Sequence, residues 1–122
     1  MELSIRVRFP TVAPMKTLKF KPHLAEEILS GAKTSTWRLF DDKDLQDGGE
    51  LELMNSDSRE VFAKARIDSA VTKKLGELIE EDWEGHEKFA SEGEMYHTYN
   101  SYYEQEVTPK TEVKIVKFSL LE

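Results

Sequence analysis

Residues 31–38 read GAKTSTWR and stand between two apolar runs. A helix that turns into a strand needs only the glycine there, because glycine enters the left-handed region without steric cost and so commonly ends helices. The run before it, PHLAEEILS at 22–30, reads as the helix: proline is tolerated in a first turn, and Leu24 and Ile28 share a face at i, i+4. The run from Thr34 on, TSTWRLF, is rich in β-branched and aromatic residues and reads as a strand. The corner therefore carries a lysine, two threonines, a serine and an arginine that neither element requires. Residues 33 and 36 of one unbroken strand would point to opposite faces. A shared pocket is possible only if Lys33 sits in the corner and the strand begins at Thr34, which puts Thr34, Thr36 and Arg38 on one face.

Outward from this corner, the acidic loop DDKDLQDGG at 41–49 ends in a turn signal, and ELELM at 50–54 and EVFAKARIDSAV at 60–71 alternate as an antiparallel pair with NSDSR at the turn. That alternation predicts Leu51, Leu53, Val61, Ala63, Ala65 and Ile67 as inward residues. Residues 75–106 have no period of two and read as two helices interrupted near Gly85 and Gly93. Tyr96, Tyr99 and Tyr103 would be a core stripe with one hydroxyl in reach of the pocket, and the acids from Glu77 to Glu94 a solvated face. The last run, TEVKIVKFSLL at 111–121, shifts its apolar phase between Ile115 and Val116, so it carries a bulge or is buried on both faces. At the other end, residues 1–14, MELSIRVRFPTVAP, contain Pro10 and Pro14 and read as an edge strand or an extension, with the domain spanning 15–122. The closing Leu121 and Glu122 are either native or a cloning remnant. The order strand, helix, three strands, helices, strand predicts an α+β fold: a small β-barrel with flanking helices.

Composition narrows the function. With 122 residues and 39% hydrophobic content the chain makes one modest core, hence one domain. No apolar run approaches the roughly 18 residues of a membrane span and no secretory pattern opens the chain, so a soluble, cytoplasmic protein without a membrane partner is expected. The absence of cysteine excludes disulfides and thiolate metal sites. His23, His86 and His97 lack zinc-site spacing, so no metal and no cofactor are expected. The net charge of −7 opposes nonspecific coating of nucleic acid, but residues 1–74 hold 13 Lys and Arg against 12 Asp and Glu, whereas residues 75–122 hold 4 against 12. A near-neutral half beside an acidic one favours a small ligand or a short nucleic-acid element over a long duplex.

The pattern G-x-K-x-x-x-x-R after a short helix, a turn glycine before a strand, EGH between helices and a terminal run ending KFSLL resemble the ASCH domain of the PUA-like superfamily over roughly Met15 to Leu121. Many members carry an acid two places before the arginine. Thr36 stands there instead, and G-x-K-T-x-T-x-R is similar to the N4-acetylcytidine amidohydrolase branch, matching at Gly31, Lys33, Thr34, Thr36 and Arg38. The resemblance implies a PUA-like barrel that binds RNA or a modified nucleoside in a pocket framed by Gly31, Thr34, Trp37 and Arg38; a monomer is expected. The alternative it implies is removal of an acyl group from a small amide, with Lys33 as base, Thr36 as nucleophile and, carried over by position, Glu84 as the acid for the leaving nitrogen. Glu81 and Glu87 compete with Glu84 for that role. A lysine can be such a base only where burial lowers its pKa. The plainer alternatives are that Lys33 and Arg38 are solvated charges, that Trp37 and Trp83 are core, and that the acidic face docks another protein.

Overall fold

The computed structural model describes residues 15–40 and 43–121. Its elements are β1 (Lys16–Phe20), α1 (Pro22–Ser30), β2 (Ser35–Leu39), β3 (Glu50–Asn55), β4 (Val61–Lys74), α2 (Glu92–Tyr102) and β5 (Glu112–Leu120). The first strand is thus Lys16–Phe20, and the edge strand expected within residues 1–14 lies outside the described residues. The five strands form one sheet in the order β1-β3-β4-β5-β2, parallel between β1 and β3 and antiparallel elsewhere. The result is a curled half-barrel with two helices, the small α+β architecture that the order of elements predicts.

The sheet buries both of its faces, which explains the phase shift in β5. Val116 and Phe118 join Leu18, Phe20, Ile28, Leu45, Leu51, Leu53, Ala65 and Ile67 in one cluster, which α1 covers. Val113 and Ile115 join Trp37, Leu39, Leu75, Met95, Tyr99 and Val107 in a second, under α2. Each Val, Leu, Ile, Phe or Met among them contributes about 1.5–3 kcal/mol when fully buried, far more than an exposed ion pair of about 0–1 kcal/mol, so these two clusters hold the fold.

Four of the six predicted inward residues, Leu51, Leu53, Ala65 and Ile67, are at most 2% exposed, and Ala63 packs against the same cluster. Val61 is the exception and lies exposed. The register slips between Leu53 and Met54, so that Met54 opposes Val61 and Phe62 is skipped. Phe62 turns onto the cluster, edge-on to Phe20, in the place that alternation assigns to Val61.

Residues 75–90 are not the predicted helix. They form two 3-10 turns, Leu75–Glu77 and Glu80–Trp83, followed by irregular chain, and Gly93 lies inside α2 rather than breaking it. The irregular path is fixed by tertiary bonds. Asp82 accepts from the Ile79 amide at 2.8 Å and from Lys73 of β4 at 2.9 Å, which ties the second turn to the sheet.

Candidate functional site

Helix α1 ends as its sequence dictates. Gly31 takes φ +89°, its amide bonds Ile28 O, and the amides of Ala32 and Lys33 both bond Glu27 O. Lys33 is thereby held in the corner by the helix terminus. The strand starts at Ser35 rather than Thr34, because the Thr34 amide, which the ladder would turn toward Phe118, is taken by Gly85 O at 2.8 Å; the outward Ser35 amide bonds the same oxygen at 3.1 Å. Gly85 has φ +74°, and a Cβ there would run into Thr34 Oγ1, so only glycine fits the close crossing of the two segments. This crossing carries His86 and Glu87 onto the corner.

Lys33 is 2% exposed and its ammonium donates to Glu87 Oε1 at 2.5 Å. Burial pulls the Lys33 pKa below the ordinary lysine value, and Glu87 opposes that shift without cancelling it. Burial acts to raise the Glu87 carboxyl, but the charges of His86 and Lys33 and the hydrogen bond from Lys33 outweigh it and hold the pKa low. His86 is buried, with its ring stacked on Trp37 at 4.0 Å between centroids. Its Nδ1 lies 2.7 Å from Glu87 O, which can only accept, so Nδ1 carries the hydrogen and Nε2 faces Glu87 Oε1 at 3.5 Å. Burial, with the Lys33 charge, lowers the His86 pKa to about 4, leaving the imidazole neutral at neutral pH.

These groups surround a cavity of about 230 Å³ between β2, the end of β1, the start of α1 and the 86–89 segment, with Tyr99, Tyr102 and Tyr103 closing one side. Thr36, buried, and Arg38 line it from β2. Arg38 donates to Lys19 O of β1 at 3.3 Å and lies over the Phe20 ring at 4.7 Å. Among the described residues no ladder joins β1 to β2, so this side chain spans the gap between the two sheet edges.

Of the predicted site residues, Lys33, Thr36, Trp37 and Arg38 therefore meet at one cavity. Gly31 shapes the corner without lining it, and Thr34 is exposed beside Gly85. Glu84 is not brought in: its side chain is 75% exposed and lies 3.9 Å from Lys117. Glu87, one of its competitors in the sequence, occupies the cavity instead. His86, Phe89, Tyr102, Lys19 and Lys21 line the cavity beyond the residues expected from the sequence. The signal available for His86 and Glu87 was the glycine before them, since a glycine in an acidic stretch marks a place where backbones approach. Among the described residues no group of His, Asp and Glu is arranged to hold a metal ion, and no helix is long and apolar enough to cross a membrane.

No protein-family model matches the sequence, and no curated protein matches it. Solved structures do resemble the fold. A protein of Enterococcus faecalis assigned to DUF984 superposes with a TM-score of 0.71 at 14% identity, over 92% of this chain and 82% of that one. An ASCH domain of Lactobacillus crispatus gives 0.65 at 15% identity, over 87% and 79%. ASCH from Zymomonas mobilis gives 0.56 at 19% identity, over 85% and 66%. The chain has the ASCH-domain fold.

Proposed function

We propose that this chain is an ASCH-domain protein that binds RNA or a modified nucleoside in the cavity beside β2. The observation that carries the reading is the charge of the lining. Lys19, Lys21, Lys33 and Arg38 stand against Glu87 alone, in a chain whose net charge is −7. A locally positive, partly aromatic pocket on an acidic surface attracts a small anion with a flat apolar body, and a nucleotide is one. The volume agrees, because about 230 Å³ lies below the roughly 300–1,000 Å³ of pockets for drug-sized ligands and suits one base rather than a stacked strand. Titration of a fluorescent, short single-stranded RNA and of free nucleosides tests it. Replacement of Arg38 and Lys33 by alanine together is expected to weaken binding, and unchanged binding moves the ligand elsewhere.

A second reading, hydrolysis of an N4-acetylcytidine-like amide, is favoured by one observation: Lys33 is buried, lowered in pKa and bonded to a carboxylate. In this reading the Thr36 hydroxyl attacks the acyl carbon and neutral Lys33 takes its proton. A carboxylic acid protonates the departing nitrogen, and water then releases the acid from Thr36. The resemblance assigns that acid to Glu84. Glu87 suits it better, because its contact with Lys33 lets the proton removed from Thr36 pass to the leaving group. Incubation with N4-acetylcytidine, read by loss of the acetyl group, tests the reading, and an uncleaved substrate that still binds leaves the pocket as a binding site.

A further inference from the structure

Strand β2 is an edge, and its hydrogen-bonding parity decides what that edge offers. The Phe118 amide bonds Thr34 O at 3.1 Å, and the pairs Thr34 with Phe118, Thr36 with Val116 and Arg38 with Lys114 follow one register. In an antiparallel ladder alternate residues turn both main-chain groups toward the partner, so Thr36 and Arg38 face β5 while Ser35, Trp37 and Leu39 face away from it. Two of these three outward amides have partners: the Ser35 amide donates to Gly85 O at 3.1 Å, and the Leu39 amide to the Tyr103 hydroxyl at 3.4 Å. Between them, the Trp37 N–H and C=O have no partner among the described residues. Trp37, Thr36, Arg38, His86, Glu87 and Tyr103 all line the same cavity. The Trp37 residue as a whole is 3% exposed, with His86 stacked on its ring and Trp83 edge-on at 4.5 Å, and its buried indole Nε1–H is a further donor without a partner among the described residues.

Resting on the nucleoside reading above, we infer that the main-chain N–H and C=O of Trp37 read the Watson–Crick edge of one unpaired nucleobase. The pair offers one donor beside one acceptor in a rigid setting, and each nucleobase carries a neighbouring donor and acceptor on that edge. Main-chain groups kept from water without a partner cost free energy, so a ligand that pairs them removes that cost. A peptide strand is the other usual occupant of a sheet edge, but it needs several consecutive groups, and here Gly85 and Tyr103 close the edge on both sides of a single residue. The edge of a base in a duplex is already occupied, so the ligand is a free nucleotide or a single-stranded position.

The experiment is an amide-resolved NMR titration of the intact chain with the four nucleoside 5′-monophosphates. The tightest binder is then compared with its counterpart methylated on the Watson–Crick ring nitrogen, N3 of a pyrimidine or N1 of a purine. The expected result is a downfield shift of the Trp37 amide on binding and an affinity loss of about 10-fold or more on methylation, the range that a bidentate base contact supplies. Binding that leaves the Trp37 amide in place, or that tolerates the methyl group, overturns the inference while keeping the nucleotide site. Absence of binding by all four at millimolar concentration overturns the inference, and the nucleoside reading falls with it when N4-acetylcytidine and the short RNA also fail to bind.

Discussion

Gly85→Ala tests the crossing that assembles the site, and the structure supplies its own control. At Gly85 the φ of +74° belongs to the left-handed region, which costs an L-residue about 1–2 kcal/mol. The added Cβ also collides with Thr34 Oγ1 and sits 3.2 and 3.3 Å from Thr34 Cβ and N, an overpacking of the kind that costs about 1–3 kcal/mol. Gly48 has a similar φ of +82°, but no atom lies within 4 Å of its added Cβ, so Gly48→Ala carries the backbone cost alone. Urea unfolding at neutral pH is therefore expected to show losses of about 2–5 kcal/mol for Gly85→Ala and about 1–2 kcal/mol for Gly48→Ala. Thr34→Ala in the Gly85→Ala background removes the colliding oxygen and should recover part of the difference. Equal losses for the two glycines, or no recovery in the double variant, would refute the close approach of the two segments.

Acid should weaken the fold before the carboxylates titrate. The folded His86 has a pKa of about 4 against an ordinary 6.5, so between these values the unfolded chain binds a proton that the native state refuses, and stability falls as pH drops through that window. The loss is about 3 kcal/mol, and the urea midpoint of His86→Gln should lose the corresponding slope between pH 6.5 and 4; an unchanged slope assigns the proton to another group. For RNA, Lys19, Lys21 and Arg38 can neutralise at most three phosphates, so the logarithm of affinity should fall against the logarithm of salt with a slope no steeper than about −2, and a much steeper slope would require a second basic surface. On any N4-acylated cytidine that the protein cleaves, Glu87→Gln should slow turnover markedly while Glu84→Gln leaves it near wild type. Lys33→Ala and Thr36→Ala should each remove most activity, with the double variant little worse than either. The reverse ranking of the two glutamates would return the acid to Glu84.

Local chemistry made much of the molecule legible. Pro22 and Gly31 bound α1, and strand geometry made a corner position for Lys33 the condition for its sharing a pocket with Thr36 and Arg38. Alternation found four fully buried residues of β3 and β4, and it missed Val61 because a register slip depends on Phe62 meeting Phe20, which period two cannot express. The 75–90 segment was opaque for a related reason. Its path follows from Asp82 bonding Lys73 and from Gly85 accepting the Thr34 and Ser35 amides, contacts between residues 9 to 51 positions apart. Glu84 and Glu87 look alike in the sequence, and only that crossing sends one to solvent and the other to Lys33. The free edge at Trp37 was likewise invisible, since it depends on which strand pairs with β2 and which outward groups Gly85 and Tyr103 cover.

The most direct measurement is a crystal structure of the protein soaked with N4-acetylcytidine at millimolar concentration. The base is expected in the cavity between Thr36, Arg38 and the Lys33–Glu87 pair, its edge against the Trp37 main chain. Density for the nucleoside at the 44–50 loop cavity near Leu45 and Gly48, or on the acidic outer face with the β2 cavity empty, would contradict it.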